Sequence, residues 1–210
     1  MPSDISVVVA DKSLTIEQAL AVFRRYSLKT VHRYDLKGLG DPRVITLEEA
    51  ARTRAVSSRL SNKHAAWFVA RSQAAPWPHP DTDLAEADPS ERDGLYDQMN
   101  ACYEYFHSDR PRDVDIGKIS KVLHIKRPRL FPILDTEVRA CYKQAARRAA
   151  RDYPARGHKV MFWAAIRYDL IANRQCGSLA ELRDTFASEP PLKVYSALTD
   201  LRLLDILTWR

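Results

Sequence analysis

Glycine and cysteine are both scarce, with six glycines and three cysteines in 210 residues. The glycine-rich loops that cradle nucleotide phosphates are absent, since neither GxGxxG nor GxxxxGK[ST] occurs; the GxSxG nucleophile elbow and the HExxH zinc motif are missing too. Cys102, Cys141 and Cys176 are widely separated and odd in number. They match neither a disulfide framework nor a CxxC metal knuckle, and are expected as reduced core thiols. Histidines 32, 64, 79, 107, 124 and 158 show no i, i+4 pairing, so no metal and no cofactor is expected. No apolar run approaches the roughly 18 residues of a membrane span. Ile5 to Ala10 is too short and lacks the basic flank of a signal peptide. A cytoplasmic protein with no membrane partner is the expectation. Internal repeats, low-complexity tracts and the β-rich runs of a central sheet are also missing.

What is present is a chain 45% hydrophobic, enough for one substantial core, and one domain over 1–210 is expected. The net charge of +6 comes from 33 Lys and Arg against 27 Asp and Glu. Acids concentrate in Asp81 to Asp97, whereas Lys118 to Arg129 and Arg139 to Arg156 are basic. This asymmetry predicts one positive face, which serves either a polyanion or only solvent.

The recurring local signal is Ser, Thr or Asp with Glu or Gln three residues on, followed by an apolar pattern of helical period. Thr15 with Gln18 and Thr46 with Glu49 each open a helix. Val31 to Leu36 reads as a short extended segment or loop, and a further helix spans about Ser61 to Arg71. The segment 76–88 is a Pro-rich, acidic surface loop. Asp88, Pro89 and Glu91 read as the clearest helix start, with Leu95, Met99, Cys102 and Phe106 on one face. Asp115 to Ile125 is a short helix, and Asp135 opens a long basic one. The latter buries Val138, Cys141, Tyr142, Ala145 and Ala149 and leaves Arg139, Lys143, Arg147 and Arg151 on an exposed ridge. Later helices are expected from about His158 to Asn173, from Ser178 (boxed by Glu181) to Phe186, and from Pro191 to Leu207. The fold class is all-α: a compact single-domain bundle of about eight helices with little β-structure. Its expected core contains Phe23, Trp67, Met99, Val138, Trp163 and Leu198.

The chemistry-bearing stretch is Gly117 to Arg139, which reads helix, basic Pro turn, aspartate, helix. A carboxylate at a helix start is held ionised by the helix dipole and backbone N–H groups, so Asp135 could stabilise a developing cation. It is equally an ordinary N-cap, worth about 1 kcal/mol. Lys126, Arg127 and Arg129, with Arg139 and His124 nearby in sequence, are candidates to grip phosphate. Trp77, Tyr103 and Tyr105 are candidates for base stacking, although aromatic residues at helical spacing also build cores.

Phe131 to Val138 resembles the middle of the helix-hairpin-helix DNA glycosylase superfamily, in which a lysine-bearing helix precedes an apolar segment and then a Pro, Val, Asp, Thr/Ser, Val pattern. The likeness covers about 25 residues, 117–142. Val114 to Gly117 carries one glycine where that family has a glycine-rich hairpin. The resemblance implies a glycosylase-like helical fold and chemistry at an N-glycosidic bond. Asp135 takes the aspartate's place as cation stabiliser or general base, and Lys118, or Lys121 in a shifted register, takes the lysine's. The whole chain also resembles a family of uncharacterised bacterial proteins that share the Lys, Arg, Pro and Phe, Pro, Asp signature. The expectation is therefore a nucleic-acid- or nucleoside-directed protein, with a nucleic acid or nucleotide-like partner and Asp135 at the mouth of a cleft. A non-catalytic DNA- or RNA-binding domain is one alternative. A small-molecule enzyme or interaction protein on the same helical scaffold is another.

Overall fold

The computed structural model of the protein describes residues 5–209. The chain is mainly helical: a hairpin of β1 (Ser6–Val9) and β2 (Lys12–Thr15) precedes ten α-helices among the described residues, more than the eight or so expected. These are α1 (Ile16–Arg25), α2 (Leu28–Tyr34), α3 (Leu47–Arg52), α4 (Asn62–Ser72), α5 (Leu95–Ser108), α6 (Ile116–Lys126), α7 (Thr136–Asp152), α8 (Phe162–Gln175), α9 (Ser178–Ser188) and α10 (Asp200–Leu207). Short 3-10 turns separate some of them. The contacts group the chain into two units, the first joining the segment up to Leu28 with everything from Glu137 onward, the second running from Lys29 to Thr136. No described helix is long and apolar enough to cross a membrane.

In the first unit, β1 and β2 pair antiparallel with Val9 opposite Lys12, leaving a two-residue turn of Ala10 and Asp11. Both have positive φ, 51° and 69°, the left-handed pair that a type I′ hairpin turn requires. The hairpin is tied to α8 by Asn173, whose side chain accepts from the Val8 amide at 2.8 Å and donates to the Val8 carbonyl at 2.7 Å. α1 opens with the Thr15–Gln18 capping box and buries Ala19, Leu20 and Phe23. The Phe23 ring packs edge-on against Phe186 at 4.8 Å and tilted against Tyr195 at 5.0 Å. α7 buries Val138, Tyr142, Ala145, Ala146, Ala149 and Ala150, a stripe of small residues that lets neighbouring backbone approach, as the Met161 amide does in bonding the Ala146 carbonyl at 2.9 Å.

In the second unit, Phe68 of α4 and Phe106 of α5 pack with ring centroids 5.9 Å apart, and Trp67 meets both, at 4.8 and 6.3 Å. Tyr34, Val56, Ile125 and Ile133 form a smaller cluster. Of the expected core residues, Phe23, Met99, Val138, Trp163 and Leu198 are buried, while Trp67 is half-buried.

Four sequence expectations are corrected. Val31 to Leu36 is helical up to Tyr34, because burying Val31 and Tyr34 on one helical face outweighs the strand preference of their side chains. Asp88, Pro89 and Glu91 do not start α5: the Asp88 carboxylate accepts from the amide and hydroxyl of Ser90, forming an isolated turn, and α5 begins at Leu95 behind Gly94. Ser178 is not an N-cap but the first residue of α9 behind Gly177, its hydroxyl donating to Asn173 at 2.8 Å. The expected Pro191–Leu207 helix is two pieces, a 3-10 stretch Pro190–Ala197 and then α10, restarted by the Thr199 cap.

Candidate functional site

The segment singled out in the sequence folds as expected locally, with Asp115 capping α6 through the Lys118 amide at 2.8 Å and α7 starting directly after Asp135. Its polar side chains, however, are spent on the fold. Three residues of α6 stitch the following extended segment to the helix. The Ser120 hydroxyl accepts from the Leu134 amide at 2.9 Å, and His124 Nδ1 donates to the Phe131 carbonyl at 2.7 Å. The Lys121 ammonium lies 3.3 Å from Asp135 Oδ2 and donates to the Val56 carbonyl at 2.8 Å. Both side chains of that ion pair are largely covered, at 7% and 14% exposure. The Tyr34 ring stacks on His124 and its hydroxyl donates to the Lys121 carbonyl at 2.7 Å. Lys118 turns away and donates to the Asp113 carbonyl. Asp135 and Lys121 thus come together, whereas Lys118 engages a different partner.

Three members of the expected cationic phosphate grip, Lys126, Arg127 and His124, are buried. The Lys126 ammonium is buried against Glu49 Oε1 at 2.5 Å and the Asp41 carbonyl at 3.0 Å. Burial would raise the Glu49 carboxyl, but the Lys126 hydrogen bond and the Thr46 amide outweigh it and hold the group below its ordinary value. Arg127 is buried as well: its guanidinium donates to the carbonyls of Pro78, Pro42 and Lys126, each at 2.8 Å, and sits over the Trp77 ring. Burial pulls its pKa down. These two cations gather the loops 40–42 and 76–80 from inside, and with Lys121 they do not form an exposed face. Arg129 is half exposed and pairs with buried Asp83 at 3.1 Å.

The aromatic candidates are half-buried and engaged. The Trp77 indole N–H donates to the Ser72 carbonyl at 3.0 Å, Tyr103 stacks on His107, and the Arg71 guanidinium lies over Tyr105 at 4.1 Å.

Exposed positive charge lies instead on α7. Lys143, Arg147, Arg148 and Arg151 are exposed and Arg139 is half-buried, against only Glu137 and Asp152 among the acids of that helix. Lys143, Arg147 and Arg151 recur every four residues and form an exposed ridge; Arg139, expected on it as well, is half-buried.

A second feature of the first unit was not anticipated. A cleft of about 230 Å³ is lined by Asp11, Ala145, Arg148, Arg151, Asp152, Ala165, Tyr168 and Asp169. Arg148 pairs with Asp11 across it, and the Tyr168 hydroxyl donates to Asp152 at 3.2 Å. Asp169 Oδ2 accepts from the Ala10 amide at 2.6 Å. Burial, reinforced by Asp11, pushes the Asp169 carboxyl up to about 6 against the opposing pull of that amide and Tyr142. The fully buried Tyr142 hydroxyl lies beside this carboxylate, and burial and that neighbour push its phenol far up. The sequence did carry one sign of this site. Asp169 and Asn173 fall on the apolar face of α8 with Ile166 and Leu170, where a carboxylate is out of place unless it has a task.

Against known families, the model of a family of unknown function (DUF6308) matches residues 45–210. The chain belongs to that family. The match takes in α3 to α10, and with them both the Lys121–Asp135 clamp and the α7 ridge. No curated protein and no solved structure matches the chain, so the local glycosylase likeness has no support from a relative.

Proposed function

We propose that this DUF6308 protein binds nucleic acid through the cationic face of α7. The observation that carries this reading is the row Lys143, Arg147 and Arg151, exposed and without ion-pair partners among the described residues, beside Arg148. Phosphates a few ångströms apart along a strand match such a row of cations one helical turn apart, and displaced counterions supply the binding free energy. The test is binding of a labelled duplex and a labelled single strand across a salt series. Binding should weaken steeply as salt rises, and Lys143→Ala/Arg147→Ala should reduce the magnitude of the log–log slope by about 2. Binding that ignores salt, or an unchanged slope in the double variant, would sink the reading.

A second reading, hydrolysis of an N-glycosidic bond at Asp135, draws on the local glycosylase resemblance and on the place of Asp135 directly before α7 beside Lys121. The ion pair speaks for a structural clamp, because the ammonium that would attack a sugar carbon is engaged by the carboxylate meant to assist it and by the Val56 carbonyl. Release of free base from the bound strand separates the two readings.

A further inference from the structure

We propose that the cleft between the β1–β2 turn, α7 and α8 is a binding site for a small phosphorylated sugar, with Arg151 and Arg148 taking the phosphate and Asp169 and Asp152 taking the hydroxyls. The site shares Arg151 with the ridge, but Lys143 and Arg147 do not line it.

Four observations carry the inference. The first is charge. The lining holds two guanidinium groups and three carboxylates, with Arg148 already paired to Asp11 and Arg151 without a hydrogen bond or ion pair among the described residues. A bare anion would meet carboxylates and a bare cation would meet arginines. A ligand that carries an anion at one end and hydroxyl donors at the other satisfies both. The second is size. At about 230 Å³ the cleft falls below the roughly 300–1,000 Å³ of a drug-sized ligand site, which suits one pentose phosphate and not a full nucleotide.

The third is the turn. Ala10 and Asp11 both sit in the left-handed region at φ 51° and 69°, where Asn-Gly is the favoured pair. Non-glycine residues held there cost free energy, and such strain collects at binding sites. The conformation puts Asp11 on the cleft wall opposite Arg148. The fourth is the Tyr168 ring. Tyr168, stacked on Tyr153 with centroids 6.3 Å apart, gives the cleft an aromatic wall against which the apolar face of a sugar can lie.

The experiment is an NMR and calorimetric titration of the intact protein with ribose 5-phosphate, with inorganic phosphate, glycine, a 5′-phosphorylated oligonucleotide and its 5′-hydroxyl counterpart run as separate arms. Saturable binding of ribose 5-phosphate is expected, at least tenfold tighter than inorganic phosphate, with shifts at Ala10, Asp11 and Tyr168. Arg151→Gln and Asp169→Asn should each weaken it tenfold or more, while Lys143→Gln/Arg147→Gln, which removes ridge charge, should leave it unchanged. If the ligand is a strand end, the 5′-phosphorylated oligonucleotide will compete with ribose 5-phosphate better than the 5′-hydroxyl one; if it is a free metabolite, both will compete equally poorly. No saturation, phosphate binding as tightly as the sugar phosphate, glycine binding in its place, or indifference to Arg151→Gln in a variant with unaltered melting would overturn the assignment. Strand binding unchanged in the ridge variant while ribose 5-phosphate still binds overturns the ridge alone, and absent ribose 5-phosphate binding with salt-dependent strand binding intact overturns the cleft alone.

Discussion

The Asp169 carboxylate accepts the Ala10 amide at 2.6 Å, joining residues 159 positions apart and pinning the hairpin turn to α8. It is a costly acceptor, because burial raises the carboxyl from 3.8 to about 6. Between those two values the folded protein keeps a proton that the unfolded chain has released. The stability contributed by protonated Asp169 is therefore complete below about pH 4 and is lost as pH rises through 6, and the rise is worth about 3 kcal/mol. Asp169→Asn keeps an acceptor for the Ala10 amide and removes the ionisation. Denaturant unfolding at pH 4.5 and 7.5 should show a smaller pH difference in the variant than in the wild type. An unchanged difference would mean that Asp169 ionises without cost.

The same turn offers a test of backbone strain that is free of charge effects. Asp11→Gly and Asp11→Ala both remove the exposed pair with Arg148, but only glycine is at ease at φ 69°. The glycine variant should exceed the alanine variant in stability by about 1 kcal/mol. Equal melting temperatures would show that the turn relaxes out of the left-handed region at no cost.

Lys126 and Glu49 should behave as a buried pair. Lys126→Ala leaves the Glu49 carboxylate, 2% exposed, without its cation and should cost about 3–5 kcal/mol. Lys126→Met with Glu49→Gln should recover most of that, and a double variant as unstable as the single one would refute the pairing. Arg127→Ala should likewise lower stability through the loss of three carbonyl bonds, with no change in the salt dependence of strand binding per folded molecule.

What could be read in advance divides along a physical line. Local hydrogen-bond logic was legible: Thr15 with Gln18 and Thr46 with Glu49 cap the helices expected of them, because each cap closes within four residues. The small-residue stripe and the cationic ridge of α7 were legible for the same reason, being periodic along one helix. Asp88, Pro89 and Glu91 carried the same kind of signal and misled, since the Asp88 carboxylate found Ser90 first. The burial of Lys126 and Arg127 was not legible, because their partners Glu49, Pro42 and Pro78 lie 49–85 residues away and a basic run looks the same whether it faces water or a carbonyl. The cleft was hidden likewise: Asp11, Arg148 and Asp169 come from three elements that meet only in the folded unit.

The remaining prediction concerns Asp135, whose two readings part on a single substitution. Asn starts a helix about as well as Asp, so if Asp135 served only as the residue before α7, Asp135→Asn would be neutral. The Lys121 ammonium, 7% exposed and 3.3 Å from the carboxylate, makes neutrality unexpected. With Asn in place the ammonium keeps the Val56 carbonyl but loses its counter-charge, and a mostly covered charge without one costs several kcal/mol unless it can reach water. Asp135→Asn should therefore lower the melting temperature, and adding Lys121→Met, which retains the apolar stem and removes the charge, should restore most of it. Non-additivity of that kind in a double-mutant cycle identifies the pair as a clamp between α6 and the segment that leads into α7. If Asp135→Asn instead leaves the melting temperature untouched while base release from a nucleic-acid substrate disappears, the carboxylate acts on substrate and the clamp reading fails.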